Sequence, residues 1–115
     1  MRKHLESNLQ KACVRWAKFA HPNIVLFAVP NGGYRSATEA AVMKGEGVIS
    51  GVSDLILLKS NQDYHGLMIE LKSPKGKQTD AQRLFEKNVT ANGYKYVVCR
   101  DLQSFIKIIN EYLKN

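Results

Sequence analysis

The hydrophobic pattern at the start of the chain is helical. Between residues 3 and 20, apolar side chains recur at helical spacing, at Leu5, Leu9, Ala12, Cys13, Trp16, Ala17 and Ala20. This pattern is typical of one buried stripe on an amphipathic helix. Pro22 is expected to end the helix, because proline has no backbone N–H to donate at an interior position.

Three further helices are predicted from start signals followed by apolar stripes. Ser36 with Glu39, and Thr79 with Gln82, have the spacing of a capping box, and Asp101 suits the start of the last helix. The core-facing residues are predicted to be Ala37, Ala40, Ala41 and Val42, then Ala81, Leu84, Phe85 and Val89, then Leu102, Phe105, Ile106, Ile109 and Leu113. The last helix has a second interpretation, in which Phe105, Ile109, Tyr112 and Leu113 form an interface with another copy.

Four short apolar segments predict strands, over residues 23–29, 51–58, 66–72 and 94–99. They are aliphatic segments bounded by Gly, Pro, Asn and Ser signals. The first is almost continuously apolar, and we expect it to be buried on both faces. The order α-β-α-β-β-α-β-α predicts an α/β fold with a mixed central β-sheet flanked by helices.

A polar connection over residues 59–65 joins the second and third strands, as expected for a hairpin. If the turn is centred on Gln62, Asp54 lies opposite Glu70, with Cβ atoms roughly 4.5–5.5 Å apart. Lys72 projects from the same face as Glu70, because side chains alternate along a strand. The hairpin is therefore predicted to bring two carboxylates and an amine together.

This polar cluster has a structural and a functional interpretation. Glu70 and Lys72 could form the solvated pair that is common on half-exposed sheets. Both strands are strongly apolar, however, and unpaired charges are costly to bury there. Two carboxylates with a backbone carbonyl, for which Leu71 is the candidate, suit Mg²⁺ or Mn²⁺. Such an ion supports phosphodiester hydrolysis, with Lys72 orienting or deprotonating the water and offsetting negative charge in the transition state.

Length and charge narrow the class of protein. A chain of 115 residues is expected to form one domain, over residues 1–115. Lys and Arg number 17 against 10 Asp and Glu, and the net charge of +7 favours a nucleic-acid partner, although general solubility explains it as well. Cys13 and Cys99 are expected to be buried and reduced. Without a signal peptide or membrane-spanning segment, we expect a soluble cytoplasmic protein with no membrane partner.

Two loops carry candidate contacts to nucleic acid. The first is Asn31-Gly32-Gly33-Tyr34-Arg35. Its glycines permit close backbone approach to a phosphate, and its Tyr and Arg supply stacking and charge, although an ordinary tight turn also explains the glycines. The second loop carries Lys75 and Lys77 directly after Lys72, where basic side chains suit a phosphate backbone.

These motifs are similar to those of a nuclease family. Asp54 followed by Glu70-Leu71-Lys72 resembles the D…ExK signature of the PD-(D/E)xK nuclease superfamily, with Ser53 where proline is usual. The wider set appears in the order seen in the VRR-NUC family: Glu6, Pro30-Asn31-Gly32-Gly33-Tyr34-Arg35, Lys44 and Gly45, Gly51-Val52-Ser53-Asp54, Glu70-Leu71-Lys72 and Gln82. The resemblance extends over nearly the whole chain and implies a restriction-endonuclease-like core.

The resemblance implies a set of metal ligands, namely Asp54, Glu70 and the Leu71 carbonyl, and a set of catalytic residues, namely Asp54, Glu70, Lys72, Glu6 and Gln82. Glu6 would join the site from the first helix, directly or through water, whereas its position in the helix also allows a solvated side chain. Gln82 would reach the site from the third helix, although capping alone also explains it. Lys44 joins the residues predicted to bind nucleic acid.

Small stand-alone members of this family, typical of phages and prophages, resemble Holliday-junction resolvases and act as homodimers on branched DNA. The resemblance therefore implies a Mg²⁺- or Mn²⁺-dependent, structure-selective endodeoxyribonuclease in a bacterial or phage-infected cell. Two sites related by a two-fold axis suit symmetric cutting of a junction. The alternatives are a nuclease for nicked or linear duplex or for another nucleic acid, and a non-catalytic DNA-binding module on the same fold.

Overall fold

The order of helices and strands is the one that the sequence pattern predicts. The computed structural model describes residues 2–30 and 36–115. Its elements are α1 (Arg2–Ala20), β1 (Leu26–Ala28), α2 (Ala37–Gly45), β2 (Leu55–Leu57), β3 (Leu67–Leu71), α3 (Asp80–Ala91), β4 (Lys95–Cys99) and α4 (Leu102–Lys114). Capping boxes start α2 at Ser36 and α3 at Thr79, as predicted.

The four strands form one mixed sheet in the order β1-β2-β3-β4. β1 and β2 are antiparallel, as are β2 and β3, whereas β3 and β4 are parallel. A parallel pair needs a long crossover connection, and α3 supplies it. The α/β fold with a mixed sheet is therefore confirmed.

The register of the β2–β3 hairpin is the one predicted from a turn centred on Gln62. Leu55 pairs with Ile69, and Leu57 pairs with Leu67. The next positions outward in this register are Asp54 and Glu70. The strands themselves are shorter than predicted. Beyond the ends of β1 and β2, the two chain segments are joined only by single hydrogen bonds. These bonds run from Val29 N–H to the Asp54 carbonyl and from Leu58 N–H to the Val25 carbonyl.

The hydrophobic core lies on one face of the sheet, where α1 and α4 pack. Its fully or almost fully buried members are Cys13, Ala17, Leu55, Leu57, Leu67, Ile69, Leu71, Cys99, Phe105, Ile109 and Tyr112. Phe105, Ile109 and Tyr112 of α4 therefore belong to the core, which decides between the two interpretations of that helix. Cys13 and Cys99 are buried free thiols, as predicted, and burial raises the pKa of Cys13 to about 12.

The prediction that the first strand is buried on both faces is wrong. Val25 and Phe27 are 54% and 42% exposed. β1 is an edge strand, and no described helix covers the side of β1 on which Phe27 lies. An apolar run alone therefore did not distinguish an edge strand from a central one.

Two predictions about core-facing helical residues are also wrong. In α2, Ala37, Ala40, Ala41 and Val42 are all exposed, and α2 packs closely on no other described helix or strand. Its capping box and alanine content favour the helix locally, although it has no buried face. In α3, Leu84 is exposed, whereas Phe85 packs edge-on against Tyr96 of β4.

The described helices are too short or too polar to span a bilayer. Within residues 2–30 and 36–115, none of them is both long enough and apolar enough to do so.

Candidate active site

The acidic residues lie on the face of the sheet opposite the hydrophobic core. Leu55, Ile69 and Leu71 point into the core, and side chains alternate along a strand. Asp54 and Glu70 therefore project to the other face, which α3 partly covers. Although its side chain is a carboxyl group, Glu70 is only 2% exposed.

Asp54 is held by the backbone of the neighbouring strand. Its Oδ2 atom accepts a hydrogen bond from the Leu71 N–H at 2.8 Å. Ser53 precedes it and is fully buried, with its Oγ donating to the Leu55 carbonyl at 3.3 Å. Serine thus satisfies its own hydroxyl at the position where the superfamily signature usually has proline.

Among the described residues, Glu70 contacts Gln82 and Lys72 through only one of its two oxygens. Oε2 accepts from Gln82 Nε2 at 2.9 Å and lies 3.5 Å from Lys72 Nζ. Oε1 is buried and accepts no hydrogen bond from any described residue, while the adjacent Asp54 carboxyl group can share a proton with Glu70. A buried polar atom without a partner is costly, so its presence calls for an explanation.

Gln82 links the catalytic candidates to the start of α3. Its Oε1 atom accepts from Lys72 Nζ at 2.8 Å and from Thr79 N–H at 2.9 Å, while its Nε2 donates to Glu70. The backbone N–H of Gln82 donates to Thr79 Oγ1. Gln82 therefore performs the capping contact and the site contact together, so the two interpretations of its sequence position are compatible.

Burial and mutual repulsion weaken the acidity of both carboxyl groups. Burial, and then the neighbouring Asp54 carboxylate, raise the pKa of Glu70 to about 8, although Lys72 opposes the shift. Burial also raises the pKa of Asp54, against the stabilising hydrogen bond from Leu71. Such shifts indicate charged forms that lack sufficient compensation within the protein.

These residues fit a divalent cation. The unpartnered Glu70 Oε1 beside a second carboxylate is the arrangement that a hard cation would satisfy. Within the described residues, no group of three or more His, Cys, Asp or Glu side chains could hold a metal. The protein would therefore supply two carboxylates, and the backbone and water would complete the coordination.

Glu6 lies near the acids without forming a cluster of three carboxylates. Its Oε2 accepts from the Ser73 N–H at 3.3 Å. Its charge contributes to raising the pKa of Asp54, which places it within electrostatic range of the site. The structure therefore brings Glu6 to the edge of the site through the turn that follows Lys72.

That turn carries the predicted basic residues. The Gly76 N–H donates to the Ser73 carbonyl at 3.0 Å, and Lys75 and Lys77 are exposed. Lys44 is exposed on α2 and lines a groove with residues of the segment 48–51, apart from the acidic pair. The predicted loop Asn31-Gly32-Gly33-Tyr34-Arg35 lies outside the described residues.

Sequence reasoning missed Arg100. Its Nη1 atom donates to the carbonyl oxygens of Ser73 at 2.9 Å and Gly76 at 2.7 Å, with Pro74 O at 3.4 Å. Arg100 follows β4 directly, and the parallel pairing of β3 with β4 brings it to the edge at which Lys72 ends its strand. A prediction that the last two strands pair in parallel would therefore have placed Arg100 next to the turn that follows Lys72.

A sequence profile of the VRR-NUC domain matches residues 1–101. The chain belongs to the VRR-NUC family.

Solved VRR-NUC structures agree with this assignment. One, described as a VRR_NUC domain protein, has a TM-score of 0.78 at 28% identity and covers 95% of this chain and 88% of its own. Another, described as a VRR_NUC domain, has a TM-score of 0.62 at 17% identity, covers 94% and 97% of the two chains, and supports the fold alone. No curated protein is detectably similar in sequence. The family assignment identifies a nuclease-type, DNA-binding domain, and such domains generally use divalent metals.

Proposed function

We propose that residues 1–115 form a single Mg²⁺- or Mn²⁺-dependent endodeoxyribonuclease domain that acts as a homodimer on branched DNA in the cytoplasm. The observation that carries the proposal is the buried, unpartnered Glu70 Oε1 beside Asp54, with Lys72 fixed by Gln82 on the same face. Most buried polar atoms in proteins have a hydrogen-bond partner, so this unpartnered oxygen beside a second carboxyl group supports a site for a cation.

Asp54, Glu70 through Oε1, and the Leu71 carbonyl would hold the metal. When bound, a divalent cation lowers the pKa of its water and stabilises charge on the attacking and leaving oxygens of a phosphodiester. Asp54 is already oriented for this role, because the Leu71 N–H fixes one of its oxygens. Glu70 is oriented by Gln82, which leaves Oε1 directed away from that contact.

Lys72 would act on the attacking water and on the phosphate. Its Nζ donates to Gln82 and lies beside Glu70, so the ammonium group is held in a defined position. In hydrolysis, the water oxygen bonds to phosphorus and the bond from phosphorus to the leaving oxygen breaks. The water's proton passes to solvent, and the leaving oxygen takes up a proton from solvent. Lys72 orients the water and offsets the added negative charge, while Gln82 and Glu6 keep the surrounding groups in place.

Binding to the DNA backbone would depend on basic residues around this site. Lys75 and Lys77 are exposed on the turn that follows Lys72. The net charge of +7 favours association with a polyanion. Lys44 and residues 31–35 complete the proposed DNA-binding set on the basis of the family resemblance.

The proposed homodimer follows from the symmetry of a four-way junction, which presents two equivalent strands for cutting. Most of the apolar stripe of α4 is buried in the core and is not free for an interface. Exposed apolar side chains remain elsewhere, notably Ile49 and Leu84, which line one groove. Light scattering of the purified protein would show a mass of two chains if the proposal is correct and of one chain if it is not.

The substrate is tested with matched linear, nicked, flapped and four-way DNA, each with Mg²⁺, with Mn²⁺ and with a chelator. We expect metal-dependent cutting that is fastest on the four-way substrate. Glu70→Gln should abolish it, whereas Glu111→Gln, at an exposed position on α4, should not. Faster cutting of linear or nicked duplex would favour the alternative nuclease, and DNA binding without cutting in any metal would favour a non-catalytic module.

A further inference from the structure

The turn from Ser73 to Gly76 lies directly against two residues of the site. A Cβ atom built on Gly76 would lie 3.3 Å from Glu6 Oε2 and 3.4 Å from Lys72 Cδ. Gly76 does not have a positive φ, so a side chain there would be disfavoured by these close contacts and not by the backbone conformation. The turn therefore covers the aliphatic part of Lys72 and lies beside Glu6.

This turn has little internal stabilisation. Its one internal backbone hydrogen bond among the described residues joins Gly76 N–H to the Ser73 carbonyl. Pro74 has no N–H to contribute, and two exposed lysines, Lys75 and Lys77, lie two positions apart and repel each other. An unsupported turn of this kind would sample several conformations, and Lys72 and Glu6 would lose a fixed neighbour.

Arg100 supplies the missing support from outside the turn. Its Nη1 atom lies within hydrogen-bond distance of the Ser73 and Gly76 carbonyls, at the two ends of the turn. Hydrogen bonds from a charged donor are stronger than those between neutral groups. On the other side, Glu6 accepts from the Ser73 N–H, so the turn is held between a base that follows β4 and an acid on α1.

We propose that Arg100 is a positioning residue, which holds the Ser73–Gly76 turn in place and through it orients Lys72 and Glu6. This proposal rests on the proposed nuclease function for its kinetic consequences, but not for its structural ones. Arg100 is exposed, but its Nη1 atom is engaged by the Ser73 and Gly76 carbonyls, and we expect Arg100 to affect catalysis more than DNA affinity.

The effect on the reaction follows from the geometry of Lys72. Its Nζ is aligned by Gln82 at 2.8 Å, and its stem is packed under Gly76. A displacement of about 1 Å at a reacting group lowers the rate by roughly 100-fold. Arg100→Ala is therefore expected to lower kcat by about 10- to 100-fold, while KM for DNA changes by less than about threefold.

The test compares Arg100→Ala and Arg100→Lys with Arg15→Ala, which removes an exposed arginine from α1 and serves as the charge-matched control. Two quantities are measured in each protein: kcat and KM on a four-way DNA substrate, and NMR hydrogen exchange of the Ser73 and Gly76 amides. We expect Arg100→Ala to lower kcat and to accelerate exchange at both amides. Arg100→Lys should be intermediate, because it keeps the charge and a donor, and Arg15→Ala should match the wild type.

Two results would overturn the proposal. One is unchanged exchange at Ser73 and Gly76 in Arg100→Ala, and the other is a kcat equal to that of Arg15→Ala. If Arg100→Ala does not fold, Arg100→Lys decides by the same two criteria. If the wild type itself cuts no DNA, the proposed nuclease function fails, and the exchange rates alone decide whether Arg100 holds the turn.

Discussion

The two faces of the central sheet bury different kinds of side chain, apolar on one face and acidic on the other. Ile69 and Glu70 are adjacent in β3, and both are buried, yet one points into the core and the other towards Asp54 and α3. Burial stabilises the apolar side chain by removing it from water, whereas it destabilises the charged form of the carboxylate. The apolar face therefore stabilises the fold. The buried acids of the polar face do not, and the proposed bound cation would explain why they are there.

The largest expected effect is the loss of activity when the polar face is changed. Glu70→Gln preserves size and the hydrogen bond from Gln82, but it removes one charge from the proposed metal site. We expect single-turnover DNA cleavage to fall by about 1,000-fold or more, which corresponds to roughly 4 kcal/mol in the activation free energy. The folded protein should persist, as shown by an unchanged thermal unfolding transition, and a rate within tenfold of the wild type would contradict the assignment.

The neighbouring residue on the core face is expected to give the reverse result. Ile69→Ala leaves a cavity among fully buried side chains and should lower the free energy of unfolding by about 2–5 kcal/mol. Ile56→Ala is the control on the opposite face, where the side chain is only half-buried, and its effect should be clearly smaller. Urea unfolding measures both, and equal losses would mean that the two faces do not differ as described.

Gln82 contributes to both the start of α3 and the polar face of the sheet. Gln82→Ala should lower the cleavage rate by about 10- to 100-fold, since Lys72 and Glu70 lose their shared partner, and should also destabilise α3. Thr79→Ala removes the hydroxyl of the same cap and leaves the contacts of Gln82 with Glu70 and Lys72 intact. It should cost about 0.5–2 kcal/mol of stability with little change in rate. Similar rates for the two variants would show that Gln82 acts only as a cap.

The last expected effect, predicted in direction and upper bound, is the pH dependence of stability without metal. The pKa of Glu70 is raised from its ordinary value to about 8, and that of Asp54 is raised as well. The folded state therefore holds a proton that the unfolded state releases, so unfolding free energy should fall as pH rises from Glu70's ordinary pKa through about 8. The slope should not exceed roughly 1.4 kcal/mol per pH unit for each proton. Urea unfolding with a chelator measures it, and Glu70→Gln should flatten the dependence.

The parts of this structure that sequence alone predicted are those that depend on local pattern. The helix and strand order, both capping boxes and the β2–β3 register follow from residues close together in the chain. The family assignment also followed from short motifs in a fixed order.

The parts that sequence did not predict depend on which elements meet in space. β1 reads as a buried strand but lies at the edge of the sheet, and α2 has an apolar stripe with no described element packed on it. Arg100 gains its partners only because β4 runs parallel to β3, which brings it next to the turn after Lys72. Hydrophobic periodicity reports which side chains are suited to burial, but not whether another element covers them.

The most direct test of the account is calorimetric titration of Mn²⁺ into the wild type and into Glu70→Gln, both with uncleaved DNA present, in buffers of different ionisation enthalpy at about pH 7. The raised pKa of Glu70 means that the metal must displace a proton. We predict binding by the wild type with release of up to about one proton per ion, and much weaker binding by Glu70→Gln. Equal binding by the two proteins, or no binding by the wild type, would contradict the claim that this buried acidic pair is a metal site.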